Sequence, residues 1–127
     1  MTPDPHEIAG KYIAQWNEAD PARRKEMIRA LWHPEAEHFT PTRAFRGRDA
    51  LDARVEEAFL QFVQASGYRF RVAGQPLGHH ATVKFHWEMV RPGSDAIDAR
   101  GSDVLRLDDR GRILSDHQFT EPLTAPL

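Results

Sequence analysis

Apolar positions in the first third of the chain recur at helical spacing. Ile8, Tyr12 and Trp16 follow one another every four residues, with Ala9 and Ile13 beside them, which predicts a first helix with one buried face. Asp4 suits its N-cap, Pro5 its first position, and Glu7 completes a capping-box pattern. A second start at Asp20-Pro21 leads into the stripe Met27, Ile28, Leu31 and Trp32, ended by Pro34. Ala36 to Thr40 reads as a short strand stopped by Pro41, with His38 and Thr40 on one face and Phe39 on the other. A third helix starts near Gly47-Arg48-Asp49, buries Leu51, Val55, Phe59, Phe62 and Val63, and is capped by Gly67.

Beyond Gly67 the period changes to two. Tyr68, Phe70 and Val72 alternate with Arg69 and Arg71, and Gly74-Gln75-Pro76 breaks the run. A longer strand carries Val83, Phe85, Trp87 and Met89 on one face and Thr82, Lys84, His86 and Glu88 on the other. After Pro92-Gly93-Ser94-Asp95, the next strand places Ile97, Ala99, Gly101, Asp103, Leu105 and Leu107 on one side. Asp109-Arg110-Gly111 forms a hairpin into a last strand from about Arg112 to Glu121, and the tail beyond Pro122 reads as loosely ordered. Helices followed by an antiparallel meander predict one α+β domain spanning residues 1–127, its helices packed on a curved sheet around an apolar pocket.

Composition narrows the function classes. The 127 residues carry a net charge of −2 with both signs interspersed, so no basic stripe is available to follow nucleic acid. No cysteine is present, which removes thiol nucleophiles and disulfides. No apolar run reaches membrane-spanning length and no signal-peptide pattern opens the chain, so a cytoplasmic location is expected, with neither membrane nor nucleic acid as partner. The seven histidines form no compact ligand spacing, so no metal site is expected. Arg23, Arg24 and Lys25 read as a solvated helix face.

Two polar groups disagree with their faces. Asp103 stands among Ala99, Gly101, Leu105 and Leu107. Burial there would disfavour its charged form and leave a protonated acid able to donate a hydrogen bond. A bulge that turns Asp103 to solvent is the competing reading. Tyr12 is the other polar tip, and a structural hydrogen bond is its ordinary use.

These residues carry a resemblance. Lys11-Tyr12-Ile13 through Asp20, Gly47-Arg48-Asp49, and the D-V-x-R-x-D-x-x-G-R-I stretch from Asp103 to Ile113 resemble the nuclear-transport-factor-2-like superfamily, and within it SnoaL-like and ketosteroid-isomerase-like proteins. The resemblance spans nearly the whole chain. It implies a cone of three helices on a strongly curved, mixed but mostly antiparallel sheet, a deep cavity, and a homodimer through the outer sheet face, where His86 and Glu88 lie. It places Tyr12 and Asp103 where the isomerases hold their oxyanion-binding tyrosine and aspartic acid. Trp32, Phe85, Trp87 and Met89 match pocket-lining positions, and Asp116, Gln118 and Thr120 match pocket-facing ones, although Ile113 and Phe119 would choose the other face of that strand. Where the isomerases have their aspartate base the chain has Thr40, and their helix-three tyrosine is Val55.

A threonine hydroxyl is too weak a base for the family reaction. His38 or Asp116 could replace it. A partly exposed strand histidine and a solvent-facing aspartate are the bland alternatives. The expected function is therefore small-molecule binding: Tyr12 and Asp103 on a ligand oxygen, Trp16, Trp32, Phe59, Phe85, Trp87 and Met89 around its apolar body, and Thr40 and Gln118 completing the wall. Activity, if present, would be of the isomerase, cyclase or hydrolase type on an apolar carbonyl compound, with no cofactor. A non-catalytic carrier or sensor and a dimerisation module are the alternatives, since this architecture hosts many functions.

Overall fold

The computed structural model describes residues 3–123. The tail expected to be loosely ordered lies, from residue 124 onward, outside the described residues. Three helices open the chain: α1 (Pro5–Asn17), α2 (Pro21–Leu31) and, after two strands, α3 (Arg48–Ala58). Asp4 accepts from the His6 amide and Asp20 from the Ala22 amide, each at 3.0 Å, so both helices begin on an aspartate cap followed by proline. The Glu7 carboxylate pairs forward with Lys11 at 2.8 Å rather than completing a capping box. A π-helical segment, Phe59–Gln64, extends α3, and Gly67 follows at φ +74°.

Among the described residues the six strands are β1 (Trp32–Phe39), β2 (Ala44–Arg46), β3 (Arg69–His79), β4 (Thr82–Val90), β5 (Ile97–Leu107) and β6 (Ile113–Glu121). They form one sheet in the order β2-β1-β6-β5-β4-β3. All neighbours are antiparallel except β1 and β6, which run parallel. The sheet curls without closing. Register shifts occur at four of its junctions, and such bulges bend a sheet and increase its twist. Gly74-Gln75-Pro76 is one of them. It does not end the strand as its composition suggests, because the two extra residues are absorbed in a bulge with Gly74 at φ +66° and β3 continues to His79.

β6 settles the conflict between its two faces in the same way. Arg106 pairs with Ser115 but Leu107 pairs with Ile113, so one residue of β6 is extra. Ile113 and Asp116, three apart, are therefore both buried, whereas Phe119 is half exposed. Apolar side chains of α1, α2 and α3 close on the concave face of the sheet, with Trp32, Phe85 and Leu105 fully buried. Arg24 belongs to this interior rather than to a solvated face. Its guanidinium lies 4.6 Å from the Phe59 ring centre and its Nε donates to the Glu18 carbonyl at 3.0 Å. On the outer face, Glu88 pairs with Arg71 at 2.8 Å and His86 approaches Glu121 at 3.6 Å. Among the described residues, no helix is long and apolar enough to cross a membrane.

Candidate functional site

The buried stripe of α1 turns Tyr12 onto the concave face of the sheet. Three strands present polar side chains beneath it. Asp103 on β5 and Asp116 on β6 both point inward, and the parallel pairing of β1 with β6 sets His38 directly beside Asp116. All four side chains are buried. The Tyr12 hydroxyl lies 2.8 Å from Asp103 Oδ2 and 2.6 Å from Asp116 Oδ2. His38 Nδ1 lies 2.7 Å from that same Asp116 oxygen.

Proton bookkeeping constrains this array. A tyrosine hydroxyl has one hydrogen and can donate to only one of the two carboxyls. The other contact needs a protonated carboxyl that donates to the tyrosine oxygen. Burial, and then the neighbouring Asp116 charge, hold the Asp103 pKa well above the usual carboxylate range. Burial raises Asp116 as well, but only to about 6, because the adjacent Asp103 carboxyl, the hydrogen bond from Tyr12 and the Arg54 charge favour its anion. Asp103 is thus the protonated member and Asp116 the anion near neutral pH. Burial, reinforced by the Arg54 charge and opposed by Asp103, lowers His38 to about 4. His38 is therefore neutral and donates from Nδ1 to Asp116, a tautomer assigned from its partner. Burial and then the two carboxylates push the Tyr12 phenol well above its ordinary pKa, so it remains a donor. The resulting order is Asp103 to Tyr12 to Asp116, with His38 also donating to Asp116.

A cavity of about 350 Å³ opens beside this array, within the size range of small-molecule sites. Tyr12 and Asp103 line it, whereas Asp116 and His38 stand behind them. Asp103 Oδ1, on a wall residue, is buried and has no hydrogen-bond partner among the described residues. Trp16, Trp87, Met89 and Gln118 line the cavity, together with Thr120. Gly101 lets the Trp87 indole lie against β5, since a Cβ there would collide with both that ring and the Phe119 carbonyl.

Four residues expected on the wall are elsewhere. Trp32 is core, its indole donating to Gln15 Oε1 at 3.0 Å, because the helix ends one residue before it and β1 carries it beneath α1. Phe85 lies under Tyr12, ring centres 5.1 Å apart, one layer below the cavity. Phe59 packs on Arg24, because the wider turn of the π-helical segment presents Phe62 to the cavity instead. Thr40 lies beyond the end of β1 and closes a turn by accepting from the Arg43 amide at 3.0 Å. It therefore no longer shares a strand face with His38.

The sequence reading missed Arg43 and Arg54, both on the cavity wall. Arg54 stands between the Trp16 and Phe45 rings, 5.2 and 5.5 Å from their centres. The available signal was its spacing, three residues after Leu51 and four before Ala58 on the flank of the buried stripe.

The comparisons agree with this architecture. The sequence model of the SnoaL-like domain matches residues 9–115. A solved structure from Agrobacterium tumefaciens str. C58, of the SnoaL-like family and with a suggested isomerase activity, is 34% identical. It superposes with a TM-score of 0.83 over 92% of this chain and 97% of that one. A protein of unknown function with a cystatin-like fold from Methylobium petroleophilum PM1 is 24% identical, TM-score 0.71, over 95% and 78% of the two chains. A Sinorhizobium meliloti protein with a suggested polyketide cyclase activity is 16% identical, TM-score 0.64, over 88% and 93%. The last two show a shared fold alone. No curated protein matches the chain.

Proposed function

The chain belongs to the SnoaL-like domain family, and from that premise we propose that it binds a small, largely apolar carbonyl compound in the cavity and moves a proton on it without a cofactor. One observation carries the reading: the Tyr12 hydroxyl is held between two buried carboxyls, and both Tyr12 and Asp103 belong to residues lining the cavity. Asp103 Oδ1 takes an acidic hydrogen from the carbon next to the ligand carbonyl. The proton on Asp103 Oδ2 passes to the Tyr12 oxygen, and the Tyr12 proton passes to Asp116 Oδ2. The ligand becomes an enolate, Asp116 becomes neutral, and Asp103 and Tyr12 keep one proton each. Reversal returns the proton to the same or another carbon, which is an isomerisation. Where the ligand carries a second carbonyl, the enolate carbon attacks it, its C=O π pair moves to oxygen, and that oxygen takes the proton returned from Asp116 through Tyr12 and Asp103, which is a cyclisation.

Two features support this assignment over direct action by His38 or Asp116. Neither of those residues reaches the cavity. Asp116 nevertheless titrates at about 6, and a base with a pKa near the working pH is effective. Tyr12 and Asp103 are thus the groups at the ligand, and Asp116 and His38 are positioning residues acting through them. Arg54, on the same wall, supplies a cation toward the developing enolate.

2-Tetralone, an apolar bicyclic ketone, tests the proposal. Deuterium uptake from D2O next to its carbonyl should exceed the buffer rate, rise with pH through about 6, and collapse to the buffer rate in Tyr12→Phe and Asp116→Asn. Binding of 2-tetralone without exchange in the native protein would instead leave the carrier reading standing.

A further inference from the structure

We propose that the natural ligand of this cavity is a carboxylic acid whose carboxylate sits on Arg54. The inference rests on the cavity being the ligand site.

Arg54 is a cation on an otherwise largely apolar wall. Its Nε is buried and has no acceptor among the described residues. Glu57, the acid one helical step away, is already held by Arg43 at 2.7 Å. Arg43, Glu57 and Asp116 act on Arg54 through their charges. The wall itself carries two guanidinium groups and one carboxylate, that of Glu57, with Asp103 protonated and the Asp116 anion one layer behind. Removing a guanidinium from water without an acceptor is costly, and burial does lower the Arg54 pKa from its ordinary value. A ligand anion would offset that cost.

Geometry narrows the anion. The Arg54 guanidinium stands within stacking distance of Trp16 and Phe45, so its planar fork is already oriented before a ligand arrives. A planar carboxylate matches that fork with two parallel hydrogen bonds. Lysine in its place would keep the charge and lose the fork. The rest of the cavity, with Trp16, Trp87, Phe62 and Phe70, suits a flat apolar body. The ligand class is thus a cyclic, mostly apolar acid, with its carboxylate at Arg54 and its reactive carbon at Asp103. Occupation by an anion also screens the Arg54 charge that favours the Asp116 anion. The acid group would therefore raise the basicity of the proton store at the moment of binding.

2-Naphthoate and 2-naphthamide, equal in shape and different in charge, separate this proposal from the one it rests on. Trp16 and Trp87 line the cavity, so quenching of tryptophan fluorescence reports binding, with calorimetry as a second measure. The native protein should bind 2-naphthoate roughly tenfold or more tightly than 2-naphthamide, as expected for a charge-assisted pair. Arg54→Gln should abolish that preference. Equal affinity for the two compounds in the native protein overturns the anion site and leaves the cavity reading intact. A preference that survives Arg54→Gln overturns the assignment to Arg54. Failure of both compounds to bind overturns both proposals. The native comparison needs no variant, so it stands even if Arg54→Gln does not fold.

Discussion

Asp116→Asn separates two descriptions of the buried His38–Asp116 contact: a neutral histidine donating to a carboxylate that titrates near 6, or an imidazolium–carboxylate ion pair. Asparagine keeps the size and the acceptor oxygen and removes the titration. In the native protein the folded pKa of Asp116 is raised to about 6 against an ordinary 3.8. Between those values the folded state holds more protons than the unfolded state. Stability is therefore fully present below pH 3.8 and falls as the pH rises through about 6. The difference of about two units corresponds to about 3 kcal/mol. His38 runs the other way. Its folded pKa is depressed to about 4 against 6.5, so its contribution is complete above 6.5 and is lost as the pH falls through about 4, again about 3 kcal/mol. In the native protein the two nearly cancel over this range. The variant uncovers the His38 contribution alone. Urea unfolding at a series of pH values checks this. Relative to the native protein, Asp116→Asn should gain about 3 kcal/mol between pH 4 and 6.5, or about 1.5 M in midpoint for a typical slope of about 2 kcal/mol per molar. The raised Asp103 pKa affects both proteins and largely drops out of the difference. An ion pair has its pKa shifts outside this window. An ion-paired native protein would lose stability as the pH rises above 6.5 and its imidazolium deprotonates, so a difference that keeps growing above pH 6.5 refutes the neutral description.

Other outcomes follow from the same contacts. Tyr12→Phe leaves two buried carboxyls without their shared partner and should cost about 2–3 kcal/mol in urea unfolding. Gly101→Ala should cost about 1–3 kcal/mol by overpacking and, by pushing the Trp87 ring into the cavity, should weaken 2-tetralone binding measured by fluorescence. Trp32→Phe should cost about 2 kcal/mol through a small void and an unpaired Gln15 amide, and leave 2-tetralone affinity unchanged, because Trp32 is off the cavity wall. Thr40→Asp should not create ketosteroid isomerase activity, since residue 40 caps a turn away from the cavity.

The local parts of the structure were legible because local rules govern them. Aspartate before proline announced both helix starts, and their side-chain caps are present. Tyr12 and Asp103 were visible as polar interruptions of apolar faces, since side-chain period alone decides which way a residue points. Neighbourhood across the sheet was not visible in that way. His38 and Asp116 are 78 residues apart and meet only because β1 runs parallel to β6, outside the antiparallel meander that the strand pattern suggested. The face of Asp116 depended on one extra residue in β6, and a single-residue shift reverses a strand's faces.

The cavity wall divides along the same line. Trp16, Trp87 and Met89 follow from helix and strand period. Phe59 and Thr40 were displaced by a π-helical turn and by the end of a strand, neither of which leaves a residue pattern strong enough to read. Arg54 looks like any helix-flank arginine until Trp16 and Phe45 close around it and Arg43 takes Glu57. By itself the sequence determined an α+β fold, its helix starts, and the presence of Tyr12 and Asp103 on otherwise apolar faces, because each depends on residues within a few positions. Only the tertiary structure decided that Tyr12 serves two carboxyls, that Asp116 is the anion, and that an arginine faces the cavity. Each of those depends on which distant groups are brought within hydrogen-bonding or stacking distance and on how much water is excluded around them.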